Sequence, residues 1–137
     1  MQVTERMPML IVLPLPPSGL SPNARLHWRA KSPLTKRVRD EAKLAAMAAR
    51  NAAGIRKPIA CLTLSATFYF GDKRRRDRSN CAAMLKAIED GIADALSGGD
   101  DSEYQWGPLT LEYSQDDPRL EIEIEDTTQA QAISPAG

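Results

Sequence analysis

The stretch Cys61-Leu62-Thr63-Leu64-Ser65-Ala66-Thr67-Phe68-Tyr69-Phe70 alternates strictly. Leu62, Leu64, Ala66, Phe68 and Phe70 point one way, and Thr63, Ser65, Thr67 and Tyr69 point the other. A period of two with one apolar side predicts a half-buried β-strand, broken at Gly71-Asp72. Upstream, residues 9–13 are apolar and read as a first strand, ended by Pro14, Pro16 and Pro17, because proline removes a ladder donor. Residues 17–31 read as a loop. A helix follows, with Ser32 as N-cap, Pro33 at its first position and Gly54 closing it in a left-handed conformation. Leu34, Val38, Ala42, Ala45, Ala49 and Ala52 form its apolar stripe.

Downstream of the central strand, Lys73 to Arg78 is almost wholly charged. A second helix is predicted over 79–96, with Cys81, Leu85, Ile88, Ile92 and Leu96 as its buried stripe and Ser97-Gly98-Gly99 as its stop. The acidic loop Asp100-Asp101-Ser102-Glu103 comes next. Leu109, Leu111 and Tyr113, then Leu120, Ile122 and Ile124, alternate on either side of Asp116-Asp117-Pro118 and read as a hairpin. The predicted class is α+β, a small single domain of order β-α-β-α-β-β with two helices packed on one face of a mixed sheet. It is expected to span 1–126, with the uncharged residues 127–137 as a disordered tail.

The 18 basic and 18 acidic residues cancel, so a nucleic-acid surface requires segregated charge rather than net charge. Cys61 and Cys81 are too few for a disulfide scaffold and are expected to be inert buried thiols in a reducing, cytoplasmic compartment. The longest apolar run, Met9 to Leu13, is far too short to span a membrane, and its flanks do not suit a signal peptide.

The chemistry concentrates in Lys73-Arg74-Arg75-Arg76-Asp77-Arg78-Ser79-Asn80. Guanidinium forks suit phosphate oxygens, although a run of charge is also an ordinary solvated face. Asp77 repels an anion unless it holds a divalent metal or pairs internally with Arg76 or Arg78. Lys86 and Asp90, four apart on the helix, share a face with Ser79 opposite the core stripe, which is equally the pattern of an exposed ion pair. Asp100 and Asp101 repel one another, so a nearby cation stabilises them; the alternative is a polar surface turn. Asn23, Arg25, Trp28 and Lys31 interleave basic and aromatic groups in the first loop. Trp28 suits either stacking on an unpaired base or anchoring that loop. His27, the single histidine, suits packing or a phosphate hydrogen bond better than a metal.

Together these pieces resemble the RusA-type endodeoxyribonucleases, the Holliday junction resolvases of phages and prophages. The residues that carry the resemblance are Arg74-Arg75-Arg76-Asp77-Arg78-Ser79-Asn80, Lys86, Asp90 and Asp100-Asp101, with Leu13-Pro14-Leu15-Pro16-Pro17-Ser18 and residues 21–28 at the amino-terminal end. It covers roughly residues 9–126, and its specificity lies in the joint pattern. It implies a homodimer in a bacterial or prophage setting that cleaves branched DNA during recombination and repair, with Mg²⁺ and no organic cofactor. It implies Asp77 and Asp101 as essential metal-binding carboxylates, Asp100 as a neighbouring ligand, Lys86 as a stabiliser of charge at the phosphate, and Arg74, Arg75, Arg76 and Arg78 as DNA contacts. Asp90 matches a structural acid.

Two departures stand out. Ser79 occupies the place of the family's second aspartate, as a metal ligand whose hydroxyl can coordinate Mg²⁺ but brings no charge. Lys86 lies nine residues after Asp77, further than in the shortest family pattern. Asp72 or Asp90 are the candidates to replace the lost carboxylate. The alternative is a catalytically weakened or inactive junction-binding protein of the same fold, and beyond it a structural domain with no nucleic-acid role.

Overall fold

The computed structural model describes residues 8–20 and 28–128. Its element order is β1 (Met9–Leu13), a 3-10 turn (Ser18–Leu20), α1 (Trp28–Ala52), β2 (Leu62–Phe70), α2 (Arg78–Ala83), α3 (Lys86–Leu96), β3 (Tyr104–Tyr113) and β4 (Arg119–Asp126). This is the expected α+β domain, a four-stranded mixed sheet with helices against one face. The alternation of β2 becomes burial: Leu62, Leu64, Ala66 and Phe68 are buried, and the residues between them are half-buried. With Ile11, Leu13, Leu120, Ile122 and Ile124 they form the sheet side of the core. Val38, Ala42 and Ala46 of α1 and Ile88, Ile92 and Leu96 of α3 close it from above. Fully burying one such Leu, Ile or Val contributes about 1.5–3 kcal/mol. Cys61 and Cys81 are buried free thiols, and burial pushes Cys81 up.

The sheet order, β1-β4-β2-β3, corrects the expected hairpin. β3 lies parallel to β2, from Leu62 opposite Tyr104 to Phe70 opposite Tyr113. β4 pairs antiparallel with β2 on its other edge and with β1 beyond. Residues 114–118 therefore cross the end of β2 instead of turning tightly. The Ser114 N–H donates to the Phe70 carbonyl at 2.8 Å, and Gly71 leaves room for Pro118, whose Cγ would lie 2.9 Å from an added Cβ. β3 also begins earlier than its alternation suggests. A register irregularity against β2 between Leu64 and Ala66 admits Gly107-Pro108 on this edge strand, where proline is tolerated.

α1 starts at Trp28 rather than after Ser32, so Lys31 is helical and Pro33 lies inside the helix. Proline at this sixth position forfeits one intrahelical hydrogen bond, the one its N–H would donate to the carbonyl four residues back. At the other end the expectation stands. Gly54 has φ +72°, the Gly54 N–H reaches the Asn51 carbonyl, and the Ile55 N–H reaches that of Arg50. Of the expected stripe Val38 and Ala42 are buried, Leu34, Ala45 and Ala49 half-buried and Ala52 exposed, while Ala46, outside it, is buried.

The single helix expected over 79–96 is two. At Met84 and Leu85 the hydrogen bonds shorten, Met84 N–H reaching the carbonyls of both Asn80 and Cys81 and Leu85 N–H that of Ala82. This tightened turn leaves Cys81, Leu85, Ile88, Ile92 and Leu96 buried. α3 then crosses α1 closely at Gly91, where an added Cβ would stand 2.2 Å from the Arg39 carbonyl oxygen.

Candidate metal and nucleic-acid site

Lys86, Glu89 and Asp90 share the first turns of α3, because residues three and four apart stack on one helix face. The loop after α3 brings Asp101 to the same place. The Lys86 Nζ lies 2.9 Å from Glu89 Oε2, 3.1 Å from Asp90 Oδ1 and 2.9 Å from Asp101 Oδ2. From β3, Trp106 Nε1 donates to Glu89 Oε1 at 2.7 Å and fixes that carboxylate. Hydrogen bonds to Glu89, Asp101 and Asp90, in that order of weight, push Lys86 above the ordinary lysine range. Hydrogen bonding with Glu89 and then Lys86 holds Asp101 below the ordinary carboxylate range. Three carboxylates against one ammonium leave the group short of positive charge.

One oxygen from each of Glu89, Asp90 and Asp101 lies within 4.8 Å of the others, so these residues could hold a metal ion. The donors fit a hard cation: all are carboxylate oxygens, and oxygens on opposite sides of Mg²⁺ stand about 4 Å apart. Glu89 was not among the expected ligands. Its signal was its position three residues after Lys86, which places both on one face. Asp90, expected as structural or as a replacement acid, is in the group.

Asp77 and Asp100 are not part of that group among the described residues. Asp77 is the N-cap of α2, and its Oδ1 accepts from the Ser79 N–H at 2.8 Å. Asp100 accepts from the Ser102 N–H at 2.9 Å, which holds its carboxyl low. Ser79 is exposed at the start of α2. Asp72, the other candidate replacement, instead holds the arginine loop. Its Oδ1 accepts from Arg76 Nη1 at 2.6 Å and from the Arg74 N–H at 2.9 Å, and these contacts lower its carboxyl to about 2.

The cationic run is divided by these contacts. Arg76 is half-buried, with its guanidinium 4.1 Å over the Phe70 ring. Arg78 donates to the Leu109 carbonyl of β3. Lys73, Arg74 and Arg75 are exposed. Lys31 is half-buried on α1; Asn23 and Arg25, with His27, lie outside the described residues, and Trp28 is the first residue of α1.

β3 ties these features together. Trp106 bonds the acidic group, Leu109 receives Arg78, and Tyr113 ends the strand beside the loop of 72–76. Among the described residues no helix is long and apolar enough to cross a membrane.

No family model matches the chain. It is 36% identical over 120 residues to an uncharacterized protein of Xylella fastidiosa (strain Temecula1 / ATCC 700964), a match covering 87% of this chain and 77% of the other.

Proposed function

For a chain that belongs to one family with the Xylella fastidiosa protein, we propose a metal-dependent endonuclease that cleaves branched DNA. The observation that carries this reading is the meeting of Asp101 with Glu89 and Asp90 around Lys86, beside the strand whose Trp106 bonds Glu89 and whose Leu109 receives Arg78. The resemblance to RusA-type resolvases supports the choice of reaction and of substrate. Asp101, Glu89 and Asp90 would hold the ion, with Mg²⁺ proposed because all three offer hard oxygen donors. Bound there, it supplies Lewis acidity at a phosphate and a nucleophilic water.

The chain's own residues do the rest. Lys86, 65% exposed at its side chain, turns from the carboxylates toward charge developing on the phosphate. Trp106 keeps Glu89 oriented. Asp77, whose Oδ1 caps α2 outside the acidic group, is given a role at the metal by the RusA-type resemblance alone. Asp100 supports Asp101 from the adjoining turn. Arg74 and Arg75 contact backbone phosphates, and Arg76 and Arg78 shape the loop that presents them. A homodimer would offer two such centres to a four-way junction.

The test is cleavage of a synthetic four-way junction and of a linear duplex by the purified protein, with and without Mg²⁺. Nicks that need the metal and favour the junction are expected. No cleavage, or equal cleavage of both substrates, rejects the proposal. Ser79 favours a second reading, a junction binder that does not cut. In that case junction binding weakens steeply with salt, metal brings no scission, and Ser79→Asp raises activity.

A further inference from the structure

The loop that carries the arginines also borders a groove, at the carboxyl ends of the parallel strands β2 and β3. The groove has a volume of about 320 Å³ and is lined by Phe70, Asp72, Lys73, Arg74, Arg76 and Tyr113, with Leu111 and Glu112 behind them. Its chemistry is two-sided. Tyr113 is 44% exposed, unusually open for a large ring at the end of a strand. The Lys73 ammonium stands 5.0 Å from the centre of that ring and makes no carboxylate contact among the described residues. Phe70 is covered by Arg76, which Asp72 holds in place. The groove therefore has one wall of Arg76 on Phe70 and another of Lys73 on Tyr113, with Arg74 at the rim, 80% exposed at its side chain although its Nε lies 3.4 Å from Asp72.

We propose that this groove binds one unpaired deoxynucleotide, its base stacked on Tyr113 and its phosphate met by Lys73 and Arg74. A ring face beside cations is how proteins hold single-stranded nucleic acid, because every base has a π-face and every nucleotide a phosphate. The volume matches a ligand of nucleotide size, at the low end of small-molecule sites, which start at about 300 Å³. A paired base cannot present its face to Tyr113 without leaving its stack, so the groove selects opened strands. Trp106, bonded to the acidic group, and Tyr113 are seven residues apart on β3, about 23 Å of strand. The same span covers roughly seven base steps at 3.4 Å each, so one DNA strand can reach both places.

The inference rests on the nuclease reading for its choice of DNA, but it is tested without cleavage. In EDTA, a fluorescein-labelled oligothymidylate and a labelled duplex are titrated with the full chain, and polarisation is read. The oligothymidylate is expected to bind. Tyr113→Leu, which keeps bulk and removes the ring, is expected to weaken that binding by at least about fivefold. Tyr113→Phe keeps parental affinity. Duplex binding is unchanged by either substitution. Lys73→Ala, on the exposed loop, lowers the slope of log affinity against log salt by roughly 0.7, the share of one phosphate contact on a single strand. Failure of the oligothymidylate to bind, parental affinity in Tyr113→Leu, or an equal loss on the duplex overturns the proposal. Junction cleavage that persists alongside any of those results leaves the nuclease standing and removes only the groove. Binding as expected without cleavage does the reverse.

Discussion

Replacing Gly91 by alanine tests the packing that holds the acidic group in place. In an exposed helix the change would gain about 1 kcal/mol, because glycine is that much poorer a helix former. Here the added methyl would sit 2.2 Å from the Arg39 carbonyl oxygen and 3.0 Å from the Ala42 Cβ and the Lys43 nitrogen. The first of these is backbone, so no side-chain rotation relieves it. α3 must move off α1 by about 0.8 Å, and overpacking of this kind costs about 1–3 kcal/mol. With the upper end of that range against the gain, the net loss is about 2 kcal/mol. An unfolding entropy near 2.1 cal/mol/K per residue turns this into a fall of about 7 °C in Tm. Thermal melts followed by circular dichroism measure it. The same displacement would move Lys86, Glu89 and Asp90 relative to Asp101, so the proposed Mg²⁺ binding should weaken as well. A variant that melts at or above the parent would refute the close approach of the two helices.

Four further outcomes are expected. Gly54→Ala, with nothing within 4 Å of the added carbon but φ at +72°, should lose about 1 kcal/mol through backbone strain alone, read by urea unfolding. Trp106→Phe removes the donor to Glu89 and should lower stability in the same assay by about 1–2 kcal/mol, since hydrogen bonds to charged groups exceed neutral ones. Lys86→Gln leaves three carboxylates without their ammonium, so the rise in Tm on adding Mg²⁺ should exceed the parent's; an equal or smaller rise contradicts the charge imbalance. Asp72 is held at about 2 by Arg76, below the ordinary 3.8, so its support of the loop is complete above the ordinary value and is lost as pH falls through about 2. Carboxyl NMR should find that midpoint in the parent and a higher one in Arg76→Ala.

Burial direction was legible in the sequence, and neighbours were not. The alternation of 62–68 and the stripe from Cys81 to Leu96 are consequences of one side facing a core, and both hold in the structure. Alternation is silent on which strand lies alongside, so β3 and β4 looked like a hairpin although β2 separates them. Ser32-Pro33 carried a start signal that the helix overrides, extending upstream to Trp28 at the cost of one internal hydrogen bond at Pro33. The break at Met84-Leu85 has no proline or glycine to mark it. At the candidate site, Lys86 and Asp101 could be singled out by motif, and Asp90 by its spacing from Lys86. Glu89 was hidden because a single acid on a helix face looks like solvent-facing charge until Trp106 and Asp101 are placed beside it. The division of the arginines was likewise invisible, since Arg76 and Phe70 meet only when the loop folds back over the end of β2.

Single-turnover cleavage of a four-way junction in Mg²⁺, run side by side with the parent protein, Asp101→Asn and Asp77→Asn, bears most directly on the proposed metal-dependent nuclease activity. Asparagine still caps a helix, so Asp77→Asn keeps α2 while losing the charge. Both variants should fold like the parent and bind the junction in EDTA, yet cut it at least about a hundredfold more slowly, the scale of losing an electrostatic partner of the transition state. Parental rates in Asp101→Asn would show that the acidic group on α3 is not where DNA is cut.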